Sequence, residues 1–498
     1  MKKYALAVIL CVASVCAVAQ ERDPLPMPTV SLDSLVKHVM ELSSETYAGR
    51  LAGTKGCNEA ENYVIKALQG YGVKPQDKDW LQRFEVECNE VENAKLNVYM
   101  PGSKDKRVFT LGNEFACAGM TGRGYVDAQM VFCGYGIASP VFDEYENVDV
   151  KGKIVIVLTG LPQGVALPQD VIEHGSTLRD KARVAENKGA IGMLAVNVSE
   201  SCLSNEVQCR TYCGVLPHLA TFPLLQLTLD GAREIMADEA MALDSARSVI
   251  EKHKKVASYT LLKKAEIDVN ARYTPQAMTS NVIGILEGSD PKLRKEYIVV
   301  GASIDGVGMQ GETCIFPGAD INASGVAALL ETARVLSQRE YRPKRSIVFV
   351  VFSGSEQQYL GSQIFVSNFS PMRRIEAFVN VQNIGSGDSI VVMGDNKYPT
   401  LWNLAYVHDT TASRRNIRLD GGKMNPRGDG LAFDAVGIPT LVFTTYNGLQ
   451  HNHVPSDIWE NVDVRIMGEA ARLVAEVVAE LGEGLYQGRS PRSRAYRF

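Results

Sequence analysis

The chain has 498 residues, 45% hydrophobic and 22% charged, with a formal net charge of −5. That length allows two or three domains with a full core each, and the balance of apolar and charged residues excludes a disordered or fibrous chain. A slightly acidic total leaves no electrostatic footprint for nucleic acid, so no polyanionic partner is expected.

Met1-Lys2-Lys3 is followed by an apolar run from Tyr4 to Val18, and Ala17-Val18-Ala19 offers the small residues a signal peptidase needs. Residues 1–19 therefore read as a signal peptide. The mature chain is expected in the periplasm, the cell envelope or the extracellular space. About fifteen apolar residues are too few to span a bilayer comfortably, so no transmembrane segment is expected in the mature chain. A lipoprotein signal at Cys16 is disfavoured because Ala13-Ser14-Val15 puts no small residue directly before the cysteine. Cys57, Cys88, Cys117, Cys133, Cys202, Cys209, Cys213 and Cys314 stay after cleavage, an even number that permits disulfides in an exported chain. Cys202, Cys209 and Cys213 form the favoured cluster for one. A zinc knuckle there lacks a fourth nearby ligand.

Residues 31–75 read as helical, with Leu32, Leu35, Val36, Val39 and Met40 at helical spacing and a second amphipathic stretch from Glu59 to Tyr71. Between them Gly49-Arg50-Leu51-Ala52-Gly53-Thr54-Lys55-Gly56 is a glycine-rich turn. It is no phosphate loop, since no strand precedes it and no Gly-Lys-Ser/Thr closes it.

From about residue 115 the texture changes. Val126–Tyr135 alternates like a strand, Asp149–Leu158 is a turn feeding a buried strand, Asp180–Lys188 is helical, and Gly189–Val196 is a second buried strand. The pair Asp-Val-Lys-Gly-Lys-Ile-Val and Ala-Glu-Asn-Lys-Gly-Ala-Ile-Gly resembles a protease-associated domain, which implies a small mixed sheet over residues 115–264. By that analogy it is a lid or recognition surface.

Beyond residue 265 strands and helices alternate: Ile298–Gly301, a helix Gly325–Gln338, Ser346–Phe352, a helix Gly361–Asn368, Ala377–Val381, Ile390–Met393, Thr440–Phe443 and a helix Val462–Leu481. Continuous apolar strands separated by helices predict an α/β fold, a mostly parallel sheet sandwiched by helices. The expected division is 20–114 and 265–486 for this unit, 115–264 for the insert, and a solvated basic tail over 487–498.

Three motifs carry the chemistry. Tyr297–Gly308 contains Ser303-Ile304-Asp305, Pro317–Gly325 contains Gly318-Ala319-Asp320-Ile321-Asn322, and Ser346–Ser362 contains Gly354-Ser355-Glu356. They resemble the co-catalytic di-zinc aminopeptidase family, where these stretches read His-x-Asp, Gly-Ala-x-Asp-Asn and Gly-Glu-Glu. The Gly-Arg-x-x-Gly-x-x-Gly turn at 49–56 fits the same family. The resemblance implies an exopeptidase fold with metal-ligand positions at Ser303, Ile321, Glu356, Gln382 and His453, and the general base position at Ser355. His453 lies in His-Val-Pro-Ser-Asp, where the family has His-x-Pro-x-Asp.

A two-zinc hydrolase needs a bridging carboxylate, further ligands on each ion and a proton acceptor. Here only Glu356 and His453 are recognisable ligands. Ile321 offers no lone pair at the bridge, and the hydroxyl of Ser355 is no base at neutral pH. Asp305, which in the family orients the first histidine, has nothing to orient. The expected cofactor is none, or at most one weakly bound zinc on Glu356 and His453.

The expected cleft comprises Ser303, Asp305, Ile321, Ser355, Glu356, Gln382 and His453. The reading is a non-hydrolytic pseudopeptidase that binds a peptide, a protein or another envelope ligand; the family includes members without metals. The alternative is an aminopeptidase on a reduced, single-zinc site, with Asp305 or Asp320 helping. Glu356 and His453 as a plain polar pair, Ser355-His453-Asp457 as a hydrolytic triad and Arg427-Gly428-Asp429 as an adhesion tripeptide are further readings. The triad lacks the Gly-x-Ser-x-Gly elbow, and Arg427–Gly430 falls in a family loop with a structural role.

Overall fold

The computed structural model describes residues 29–486 except 77, 176, 199–215, 339–340, 371–373, 412–415, 419–422 and 449–451. The leader, the basic tail and the Cys202, Cys209, Cys213 cluster lie outside the described residues. Among those described, no helix is long and apolar enough to cross a membrane.

Two helices come first. In α1 (Leu32–Leu42) the Ser31 hydroxyl accepts the Ser34 amide at 3.2 Å, capping a helix that buries Leu35, Val39 and Leu42; α2 spans Lys55–Gly70. The middle of the chain gives β1 (Leu81–Tyr99), β2 (Phe115–Cys117), β3 (Gly124–Phe132), β4 (Ile154–Leu158), α3 (Leu178–Asn187), β5 (Gly192–Val196), β6 (Leu224–Leu227), α4 (Leu229–Met236) and α5 (Leu243–His253). Then follow β7 (Tyr259–Leu286), β8 (Tyr297–Ser303), α6 (Gly325–Leu336), β9 (Ser346–Phe352), α7 (Leu360–Asn368), β10 (Ile375–Val381), β11 (Ser389–Met393), α8 (Pro399–Thr411), β12 (Thr440–Tyr446) and α9 (Val464–Gly482).

The main strand order is β11-β12-β10-β8-β9-β7-β3-β4-β5-β6-β2. β12, β10, β8 and β9 run parallel, as do β3, β4, β5 and β6. The fold class is therefore α/β, mostly parallel, with helices on both faces. One face of the C-terminal half packs α1, α2, α6 and α9 through Leu35, Val64, Leu329 and Val474, all fully buried. The other carries an aromatic core in which the Phe378 and Phe433 rings stack at 3.7 Å. Gly301 sits beneath it: a Cβ there would lie 2.5 Å from the Phe352 ring and 2.7 Å from that of Phe378.

The expected boundary between residues 264 and 265 needs correction. It falls inside β7, a 28-residue strand that pairs with β3 over residues 259–269, with β1 over 264–282 and with β9 over 282–286. Both halves thus share one sheet. The alternation of buried Ala265, Ile267, Val269 and Ala271 is interrupted by a polar run from Tyr273 to Gln276 and by bulges, which masks the continuity of the strand. Helix α8 was not expected either, since few of its positions, such as Leu401 and Ala405, are buried apolar residues.

Candidate functional site

The C-terminal ends of parallel strands collect functional side chains in loops. Here β8 ends at Ser303, β9 leads to Ser355 and Glu356, β10 to Gln382, and β12 to the loop holding His453.

The turn Gly318–Asn322 is fixed from three directions. Buried Arg50 donates from Nε to Ile304 O (2.8 Å), from Nη1 to Pro317 O (2.7 Å) and Leu42 O, and from Nη2 to Gly318 O (2.8 Å). Gly318 has φ 63°, and a Cβ there would meet Arg50 Nη2 at 2.7 Å, so this close approach needs glycine. Asp457 accepts the Asp320 amide on Oδ1 (2.7 Å) and the Ile321 amide on Oδ2 (3.1 Å). Asn322 accepts the Asn383 amide at 2.9 Å and donates to Ser303 O and Val381 O, both at 3.2 Å. The Ile321–Asn322 peptide bond is cis.

The polar side chains are spent on one another. Ser303 Oγ donates to Asp429 Oδ2 at 2.7 Å, and Gln382 Nε2 reaches the same oxygen at 3.3 Å. Asp320 Oδ1 accepts the Gly385 amide at 2.6 Å and its Oδ2 accepts the Ser386 hydroxyl. His453 Nε2 lies 2.9 Å from Glu356 Oε1. Burial, reinforced by the nearby Glu356, pushes the Asp305 carboxyl up to about 7; burial, reinforced by Asp320, does the same to Asp457. Burial also raises Asp429.

A cavity of about 690 Å³ opens beside the pair. Ser355, Glu356 and His453 line it with Tyr359, Leu431 and Ala432, while Gln358 and Gln363 add amides. Ser303, Asp305, Ile321 and Gln382 do not line this cavity, while Asp305 lines a smaller concavity that it shares with Glu356. Ser303 and Asp305 are only 4% and 2% exposed because they turn inward to Asp429 and to backbone amides.

Asp305 does have something to orient, a second correction. Its Oδ1 accepts the Ser355 amide at 3.1 Å and its Oδ2 the Glu356 amide at 3.4 Å, so it shapes the loop that presents Glu356. The hydrolytic triad is not assembled, because both Asp457 oxygens serve the 320–321 backbone. Asp429 and Arg50 are the structural centres that sequence reasoning passed over. Asp429 stood in a loop read as structural, and Arg50 in a turn read for its glycines.

These residues do not fit a zinc pair. At the bridge position Ile321 has no lone pair, and Ser303 and Gln382 bring a hydroxyl and an amide where an imidazole and a carboxylate are needed. The oxygens of Asp305 and Asp457 are committed to amides, and Ser303 and Gln382 converge on Asp429. Placing a carboxylate at position 321, which the family resemblance assigns to the bridge, is therefore expected to hurt. Ile321→Asp sets a third acid beside Asp320 and Asp457, and the metal-free variant should lose about 1–3 kcal/mol of stability. A variant that melts at or above the parent temperature removes Ile321 from the former site.

The Peptidase family M28 profile matches residues 281–478 and the PA domain profile residues 116–217. A protein of Trichophyton verrucosum named "Probable leucine aminopeptidase" is 28% identical over 256 residues, 49% of this chain and 68% of that one. Human transferrin receptor protein 2 is 28% identical over 232 residues, 41% of this chain and 27% of the receptor. Among solved structures, BSAP, a zinc aminopeptidase from Bacillus subtilis, aligns with a TM-score of 0.64 at 20% identity, covering 91% of this chain and 95% of that one. A peptidase M28 precursor from Shewanella amazonensis aligns at 0.61 with 16% identity, covering 92% and 99%. At such identities the structural likeness is one of fold.

Proposed function

From a chain that belongs to peptidase family M28 and carries an inserted PA domain, we propose an exported pseudopeptidase that binds peptides in the former substrate cleft without hydrolysing them. The Glu356–His453 contact at 2.9 Å carries this reading. The two side chains left from the ligand set satisfy each other, and the remaining positions are tied into the protein by hydrogen bonds. The cavity itself persists, with Leu431, Ala432 and Ala435 as an apolar wall and Gln358 and Gln363 as amides able to meet a peptide backbone. Likeness to a protein named a receptor accords with binding, and the apolar leader over residues 4–18 supports export.

Metal analysis of the mature protein tests the first half. After dialysis it should hold well below one zinc per chain, and chelators should leave its melting temperature unmoved, since no folding energy is lent by an ion. Two tightly held zinc ions per chain overturn the proposal. Calorimetric titration of the same preparation with short, free-ended peptides tests the second half. Saturable binding is expected, weakened by Leu431→Glu, which puts a charge in the apolar wall; peptides that fail to bind remove the assigned role.

A further inference from the structure

The loop that presents His453 to the cleft has a second face. Pro455, Ile458 and Trp459 look into another cavity, of about 750 Å³. Met40 at the end of α1 and Ile315 continue its apolar lining, and Leu111 contributes from the turn before β2. Met40 is 42% exposed, and Ile458 and Trp459 are each 37% exposed. So many large apolar side chains left in water around one concavity mark a surface built to be covered. The concavity is preformed: the carboxylate of Asp457 is anchored to the 320–321 amides, and Asn461 Nδ2 donates to Ser456 O at 2.8 Å. Trp459 opens a single 3₁₀ turn, Trp459–Asn461, on this braced loop.

Charge says what covers it. Glu45 and Glu460 line the groove, exposed Glu312 adjoins its Thr313 edge, and no Lys, Arg or His is among the lining residues. None of these three carboxylates is ion-paired with a described residue. Ser43, Ser44, Thr110, Asn113 and Thr313 share the lining with the apolar side chains, and a mixed concavity under an acidic rim repels anionic lipid and nucleic acid and favours a cationic chain segment. Its walls come from four separate segments, 40–45, 110–113, 313–317 and 455–460, and the space between them admits several side chains of one chain segment.

We propose that this groove docks an extended segment of a partner protein in which apolar side chains alternate with lysine or arginine, with Trp459 as the central anchor. This surface is separate from the peptide cleft and does not depend on whether the cleft binds or hydrolyses.

The test titrates the mature protein, by calorimetry and by tryptophan emission, with a short peptide of alternating leucine and lysine blocked at both ends. The blocked ends keep it from imitating a free N-terminus. The control replaces each lysine by glutamate. Saturable binding of the lysine peptide is expected, at least about tenfold tighter than its control. Trp459→Ala, and Glu45→Gln combined with Glu460→Gln, should each weaken it about tenfold while leaving the melting temperature in place. Equal affinity for the two peptides, no saturable binding, or groove variants that bind like the parent each overturn the proposal. Binding lost in Glu356→Gln but kept in the groove variants assigns the peptide to the cleft instead. Self-association of the parent that Trp459→Ala abolishes makes a second copy the occupant, and removal of residues 487–498 that opens an otherwise closed groove makes it the chain's own basic tail. Either result overturns the partner assignment.

Discussion

Mature protein supplied with zinc, cobalt or manganese is expected to leave aminoacyl nitroanilides uncleaved, at the rate of the uncatalysed background. Hydrolysis of an amide needs an activated water, a polarised carbonyl and a proton acceptor. Loss of the acceptor alone costs about two to four orders of magnitude, and Ser355 stands in its place. The group that would generate the nucleophile is compromised as well, because Ile321, Ser303 and Gln382 supply no carboxylate or imidazole. Such residues act as a unit, so Ser355→Glu alone, or Ile321→Asp alone, should restore nothing measurable. Simultaneous Ser303→His, Ile321→Asp, Ser355→Glu and Gln382→Asp is the fair attempt at reversal. Metal-dependent release of N-terminal residues by the parent chain, abolished by Glu356→Ala and by His453→Ala, would establish the single-zinc aminopeptidase and end the pseudopeptidase reading.

How far the sequence carried depends on what kind of signal each element sends. β8, β9 and β10 are continuous apolar runs, buried on both faces, and their placement follows from hydrophobicity and length alone. β7 sends a mixed signal because it crosses two environments, and its polar middle reads as the end of one strand. In the site, the motif frames singled out Ser303, Ile321, Ser355 and Gln382 as departures from the family pattern. The hydrogen bonds these positions make were not legible. That Ser303 and Gln382 would meet on Asp429, about fifty residues further along from Gln382, is a fact of tertiary contact that no local pattern encodes. Asp305 misled for a related reason. Reading it as the partner of a missing histidine overlooked that a buried carboxylate finds donors wherever the backbone offers them, here the amides of Ser355 and Glu356.

The frame around the site should fail on one substitution far from its chemistry. Arg50→Met is expected to cost about 3–5 kcal/mol and, in a chain of this length, to lower the melting temperature by roughly 3–5 °C. The guanidinium is 1% exposed and feeds four carbonyl oxygens, of Leu42, Ile304, Pro317 and Gly318. Methionine fills the space but donates nothing, and each buried acceptor left alone costs about 1–3 kcal/mol, less whatever water can recover. Burial pushes the Arg50 pKa down, opposed by the nearby Asp457 and Asp305 carboxylates, so the variant also strips two buried acids of a favourable charge. Arg50→Lys keeps the charge but not the planar fork, and an ammonium on a longer-reaching flexible stem cannot meet four acceptors at once; an intermediate loss is expected. Because Pro317 and Gly318 lead directly into the Ala319–Asn322 turn, peptide binding in the cleft should weaken along with stability in both variants. Thermal melts of the three proteins in the absence of metal decide it: an Arg50→Met variant within a degree of the parent shows that the turn holds itself, and that the bonds to Arg50 are incidental to the site.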